Sequence, residues 1–255
     1  MNVVAIIPAR MNSSRFPGKP LEKIHGMPMI GHCLLRTQLC AELTDTYVAT
    51  CDNEIYEYVH SVGGKAIMTS DSHDRASDRT AEAMTFIENE NGEKVDIVVM
   101  VQGDEPMIQP SMIEESLAPF HDSSVQVVNL MSKIDSVEEF EDPNEVKVVV
   151  DKNLNAMYFS REPIPSRKKG VEDVPMLKQV CIIPFRRDYL LKFNSMDETN
   201  LEIIESVDMM RILENGEEVR MVMTDCTSFS VDTLDDLKRV EAAMKNDPLM
   251  NTYIA

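Results

Sequence analysis

Val3 to Pro8 is an apolar run of strand length, and a loop bearing Gly, Pro and Ser follows through Pro20. Met29 to Cys40 places Ile30, Cys33, Leu34 and Leu39 at helical spacing. Asp45 to Thr50 reads as a second strand, Asn53 to Val62 as a helix stopped by Gly63-Gly64, and Lys65 to Met68 as a third strand. Asp78 to Glu90 has helical composition, and Val95 to Val101 is an apolar strand ending at Gln102-Gly103-Asp104-Glu105-Pro106. Strands that alternate with helices and are apolar on both faces predict an α/β fold with a mostly parallel, Rossmann-like sheet.

The alternation then loosens. Val125 to Met131, Val146 to Val150, Ala156 to Phe159 and Val180 to Phe185 read as strands with no long helix between them, which predicts an antiparallel addition to the sheet. Pro163 to Gly170 is a basic loop, Asn200 to Leu213 a helix stopped by Asn215-Gly216, Val219 to Met223 a strand and Asp235 to Lys245 a closing helix. No repeat or linker divides residues 1–255, so a single domain is expected.

Composition narrows the partners. Lys and Arg number 25 against 44 Asp and Glu, a net charge of −19, which argues against nucleic acid or an anionic membrane surface. It leaves room for an anionic small ligand held by local cations. The apolar run at the N-terminus lacks a preceding basic region, so no signal peptide is expected, and no stretch is long enough to span a membrane. The cysteines are five (Cys33, Cys40, Cys51, Cys181, Cys226) without CxxC spacing, which points to a reduced cytoplasm.

Against −19, the loop Pro8-Ala9-Arg10-Met11-Asn12-Ser13-Ser14-Arg15-Phe16-Pro17-Gly18-Lys19-Pro20 stands out, with Arg10, Arg15 and Lys19 at the carboxyl end of a strand. It is either a polyphosphate cradle or a solvated basic loop, and it is not a Walker loop. Asp104 follows the strand Val95 to Val101, as a metal ligand or as part of an acidic turn. Asp232, in Ser230-Val231-Asp232-Thr233, suits a metal or a helix cap. In His73-Asp74-Arg75-Ala76-Ser77-Asp78-Arg79, Ser77 or Asp78 suits an N-cap, and Arg79 either reaches a nucleotide or decorates a surface helix. His25, His32, His60 and His121 are scattered and read as structural.

The run IIPARMNSSRFPGKPL, then VATCDN, GGKAIMTS, MVQGDEPMI, VKVVVD, AMYFSREPIP and FSVDT, in this order, resembles the 3-deoxy-manno-octulosonate (Kdo) cytidylyltransferases over essentially the whole chain. The resemblance implies a GT-A-like fold and a cytoplasmic homodimer. It implies transfer of CMP from CTP to the sugar acid with Mg²⁺, as a step of lipopolysaccharide biosynthesis. It places Pro8, Ala9, Arg10, Ser14, Arg15, Lys19, Arg79 and Asp104 at the nucleotide, and Asp104 and Asp232 on the metal. Arg10, Lys19, Asp104 and Asp232 would carry catalysis. Gln102, Arg161, Gln179, Phe185, Asp208 and Met209 fall on the acceptor side. Residues of about 1–110 and 218–255 would form the nucleotide core, and about 111–217 the acceptor and dimerisation part.

Departures gather at the acceptor. The family's HxSGTDR is here His73-Asp74-Arg75-Ala76-Ser77-Asp78-Arg79, its HVGIYAYR is Gln179-Val180-Cys181-Ile182-Ile183-Pro184-Phe185-Arg186, and its Glu-Gln pair is Asp208-Met209. These changes predict an acceptor pocket with an apolar wall of Ile183, Phe185 and Met209 beside Gln102 and Gln179. Either Arg161, Lys178 and Asp208 replace the lost contacts and Kdo is kept, or the acid is another: an 8-amino form, a different ulosonic acid, or a phosphonate. A non-catalytic nucleotide-binding protein and an assembly-only protein are the remaining alternatives.

Overall fold

Val3–Ala9 is buried at every position and forms the central strand, β1, of a computed structural model that describes residues 1–12, 15–171 and 173–254. Its side chains alternate between two cores: Val4 and Ile6 meet Ala83, Met84 and Ile87 on one face, while Ala5 and Ile7 meet Ile30, Leu34 and Val59 on the other. In chain order follow a short β2 (Lys23–Ile24) and β3 (Met27–Pro28), α1 (Met29–Gln38), β4 (Asp45–Thr50), α2 (Asn53–Ser61), β5 (Lys65–Met68), α3 (Ala76–Asn91), β6 (Ile97–Val101) and α4 (Pro110–Leu117). Next come β7 (Val128–Lys133), α5 (Val137–Glu141), β8 (Lys147–Val150), β9 (Ala156–Ser160), β10 (Leu177–Val180), β11 (Ile182–Arg186) and α6 (Arg187–Asn194). The chain closes with α7 (Asn200–Glu205), α8 (Met209–Glu214), β12 (Arg220–Met223) and α9 (Leu234–Met244).

The main sheet runs β11-β6-β1-β4-β5, parallel throughout except for β11, which pairs antiparallel with β6. The chain moves outward from β1 to β4 and β5, then returns to place β6 on the other side of β1. Loops leaving β1 and β6 therefore diverge, and a crevice opens at their carboxyl ends. The expected α/β fold is present.

The later strands differ from expectation. Only β11 is an antiparallel addition to the main sheet; β12-β7-β10-β8-β9 form a second five-stranded sheet. The single strand read from Val180 to Phe185 is two strands meeting at Cys181, one in each sheet. Continuous burial there reflects two cores joined end to end, which an apolar run alone does not reveal. Sheet membership does not follow chain order: β11 belongs to the main sheet and β12 to the second.

The helix read over Asn200 to Leu213 is also broken. Ser206, at φ 54°, turns left-handed between α7 and α8, and Val207 N–H bonds back to the Glu202 carbonyl. Helix α3 starts at Ala76, so neither Ser77 nor Asp78 caps it. Helices α4, α5 and α6 lie where the sequence pattern assigned none; Pro at the start of α4 was the available signal.

Candidate active site

Just beyond β1 the chain folds back on itself. Gly18 N–H bonds to the Met11 carbonyl at 3.0 Å, and Gly18 sits at φ 78°, a left-handed conformation that favours glycine. Met11 N–H is anchored on Asp52 Oδ2 at 2.8 Å. This doubled loop sends Lys19 inward, where its ammonium donates to Asp104 Oδ2 (2.9 Å), Asp232 Oδ1 (3.2 Å) and the Val231 carbonyl (2.7 Å). Burial disfavours the charged lysine, but Asp104 and Asp232 outweigh it and raise its pKa above the ordinary value.

Asp104 reaches this point because Gly103 lets the turn after β6 press against the end of β1. A Cβ on Gly103 would lie 2.9 Å from the Pro8 carbonyl oxygen. The Asp104 carbonyl then accepts Val231 N–H at 3.0 Å, which ties the turn to the segment before α9. Beside it Glu105 is buried, and burial, reinforced by Asp104, pushes its carboxyl up to about 7, although the Ser228 hydroxyl donates to it at 2.8 Å.

The geometry removes the capping role from Asp232. Thr233 caps α9: its Oγ1 accepts Asp236 N–H, and Asp236 Oδ2 accepts Thr233 N–H at 2.8 Å. Asp232 is free of that duty, and its carboxylate turns to Lys19 and to Arg15, whose Nη2 lies 3.0 Å away.

These groups line one cavity of about 410 Å³. Pro8, Ala9, Arg10, Arg15 and Lys19 come to it from the β1 loop, Gln102 and Asp104 from the β6 turn, Arg79 from α3 and Asp232 from the approach to α9. Arg10 and Arg79 both donate to the His73 carbonyl, at 3.3 and 3.4 Å, and so hold the 73–76 segment over the cavity. Arg79 is almost fully buried and also bonds Thr69 and the Ser70 carbonyl, so it is no surface decoration. Ser14 lies outside the described residues.

The acceptor-side residues separate. Asp208 is paired with Arg75 at 3.0 Å and accepts from the Ser77 hydroxyl; burial raises its pKa against the pull of Arg75. Arg161 lies just outside, donating to the Glu205 and Ser206 carbonyls. Gln179 bonds Asn129 within the second sheet. Phe185 and Met209 do not line the cavity: both are fully buried, Phe185 stacked on Phe193 at 5.8 Å, and Ile183 is in the same core. The expected apolar wall is interior packing under β11 and α8. What lines the cavity there is polar, Arg75 and Ser206, which the sequence reading did not place in the site. Arg75 was visible as a departure in the 73–79 motif; Ser206 was hidden inside a predicted helix. Glu205 fixes that helix break by accepting from the Tyr158 and Ser160 hydroxyls and from Arg161 N–H.

Among the described residues no group of three or more His, Cys, Asp or Glu could hold a metal by itself. Two carboxylates facing one cavity nevertheless suit Mg²⁺, which keeps waters and takes one or two carboxylates together with substrate phosphates. Among the same residues no helix is long and apolar enough to cross a membrane, and all five cysteines are free thiols.

The sequence profile of the cytidylyltransferase family matches residues 4–219. A 3-deoxy-manno-octulosonate cytidylyltransferase of Geobacter metallireducens is 41% identical over 251 residues, 94% of this chain and 96% of the relative. One of Geotalea uraniireducens is 41% identical over 256 residues, covering 96% of this chain and all of the relative (100%). The solved structure of a CMP:2-keto-3-deoxy-manno-octonic acid synthetase complexed with CTP superposes with a TM-score of 0.87 at 37% identity, over 97% of this chain and 100% of that one. Sequence and fold agree over most of the chain, and the chain belongs to the cytidylyltransferase family, among the 3-deoxy-manno-octulosonate cytidylyltransferases.

Proposed function

We propose that the protein transfers CMP from CTP to a 2-keto-3-deoxy sugar acid of the Kdo type, with Mg²⁺. The observation that carries this is the convergence of Lys19, Asp104 and Asp232 in the cavity at the carboxyl ends of β1 and β6. The acceptor's hydroxyl oxygen forms a bond to the α-phosphorus of CTP, the α–β phosphoanhydride bond breaks, pyrophosphate leaves, and the hydroxyl proton passes to solvent. Positioning and charge stabilisation account for such a displacement, so no protein base is assigned. Arg10, Arg15 and Lys19 neutralise the triphosphate, and Arg79 holds the loop above it. Asp104 and Asp232 would hold Mg²⁺, which would supply charge neutralisation at the reacting phosphate and acidify the attacking hydroxyl. Gln102, Arg75, Ser206 and Asp208 face the acceptor, with Arg161 supporting Ser206.

Kdo is the first acceptor to test, because the relatives carry that name. Arg75 and its carboxylate partners support a second reading, in which the acid is a relative of Kdo. Pyrophosphate release measured with CTP, Mg²⁺ and a panel of sugar acids separates the two. A kcat/KM for Kdo of about 10⁴ M⁻¹s⁻¹ or more assigns Kdo; turnover only with another acid assigns that acid. No turnover with any acid, despite CTP binding, sinks the catalytic reading.

We further propose a cytoplasmic homodimer serving lipopolysaccharide synthesis. The free thiols support the compartment. Exposed Met157 on the edge strand β9, with exposed Ile203 and Ile204 on α7, supports the second copy. Sedimentation of the purified protein as a monomer would remove the dimer.

A further inference from the structure

An ammonium has three hydrogens, and each hydrogen of Lys19 has an acceptor: Asp104 Oδ2 at 2.9 Å, Val231 O at 2.7 Å and Asp232 Oδ1 at 3.2 Å. The lysine side chain is only 10% exposed. Arg15 adds a second cation to Asp232 Oδ1, at 3.0 Å. Two carboxylates and two cations thus form a group that is neutral and hydrogen-bonded by the protein alone. Lys19 also takes one oxygen of each carboxylate that the proposed function assigns to the metal.

Resting on that function, we propose that Lys19 is the resident counter-ion of the Asp104–Asp232 pair and makes divalent-metal binding conditional on the triphosphate. To release both carboxylates, Lys19 must give up two of its three partners. Without nucleotide that leaves a nearly buried ammonium short of acceptors, which is unfavourable. A triphosphate in the same cavity offers phosphate oxygens to Lys19, which exchanges carboxylate partners for phosphate partners and frees the two aspartates. Nucleotide and metal then strengthen each other's binding, and the coupling is reciprocal. Lys19 is a positioning residue in this respect, acting through the aspartates.

The test is Mn²⁺ titrated into the intact protein, with free Mn²⁺ read by electron paramagnetic resonance, with and without CTP and with no acceptor present, the Mn²⁺ bound by CTP itself being measured in a protein-free titration and subtracted. Wild type is expected to bind Mn²⁺ weakly alone and about tenfold or more tighter with CTP. Lys19→Met is expected to bind Mn²⁺ alone about tenfold tighter than wild type, and to gain less from CTP. Lys19→Arg keeps the charge and should bind Mn²⁺ alone as weakly as wild type. Lys19→Met should melt at lower temperature than wild type and be restored by Mn²⁺, which a purely structural lysine does not predict. If that variant needs metal to fold, recovery on refolding with Mn²⁺ supports the proposal and failure to recover overturns it. A folded Lys19→Met with no gain in Mn²⁺ affinity, or a Lys19→Arg with the full gain, also overturns it. If CTP fails to tighten Mn²⁺ on wild type while another nucleoside triphosphate succeeds, the cytidylyl reading falls and the counter-ion role of Lys19 stands.

Discussion

Asp232 is released from capping because Thr233 does it. With the cap supplied by Thr233 and Asp236, Asp232→Asn leaves the start of α9 intact. Asp104→Asn and Asp232→Asn are each expected to lower kcat by about 10²–10³ and, by removing a charge partner of the nearly buried Lys19, to lower the melting temperature without preventing folding. Near-full activity in Asp232→Asn, measured by pyrophosphate release, would end its assignment to the metal. Gly103 makes a different prediction. Its missing side chain lets the β6 turn lie against the end of β1, and a methyl group would meet backbone oxygen at 2.9 Å. Gly103→Ala should cost about 1–3 kcal/mol in urea denaturation and depress activity by moving Asp104; unchanged stability and turnover would show that the turn has room. At this scale the nucleotide half was legible in the sequence, since cations clustered after a strand in an acidic chain are conspicuous. The acceptor half was not. Phe185 and Met209 carry the right resemblance, but position in a motif does not tell which way a side chain faces, and both face the core.

Elements meet through a few specific contacts, and Glu88 with Arg187 is one. Arg187, at the start of α6, donates from Nε (2.8 Å) and Nη2 (2.7 Å) to the two carboxylate oxygens of Glu88 on α3. Arg187 thereby holds the Glu88 carboxyl below its ordinary value of 4.5. A depressed folded-state pKa adds stability above the unfolded value, and that stability is lost as pH falls through the folded value. Glu88→Gln should therefore be less stable than wild type by about 1–3 kcal/mol at pH 7, with the gap closing below about pH 4.5. An equal gap at pH 7 and pH 4, by urea denaturation, would assign the loss to shape and not to charge. Helix and strand positions in the first 110 residues were readable from periodicity because each element has one core to satisfy. Beyond them, Ser206 breaks an otherwise helical pattern and Cys181 divides an apolar run between two sheets. Both depend on tertiary contacts, such as those Glu205 makes with Tyr158 and Ser160, that no local pattern encodes.

The whole molecule carries −19 and still holds a cavity for a polyanion. CTP with Mg²⁺ and no acceptor should raise the thermal midpoint, by the equivalent of about 2.7 kcal/mol at a hundredfold excess over Kd. No shift with CTP beside a clear shift with another nucleoside triphosphate would remove the base assignment. Fold class was legible because a parallel sheet demands apolar strands and intervening helices. The separate second sheet was not, because short strands do not announce their partners. The three-way contact of Lys19 has one more consequence, in time. Lys19 and Asp232 stand 213 positions apart, and a ribosome adding about 5–20 residues per second needs roughly 10–40 s to make the second after the first. For much of that interval the nascent chain carries Lys19 with Asp104 but without Asp232. On the proposed function, chains halted before Asp232 lack one of the two metal-holding aspartates, so a prematurely stopped product does not consume CTP.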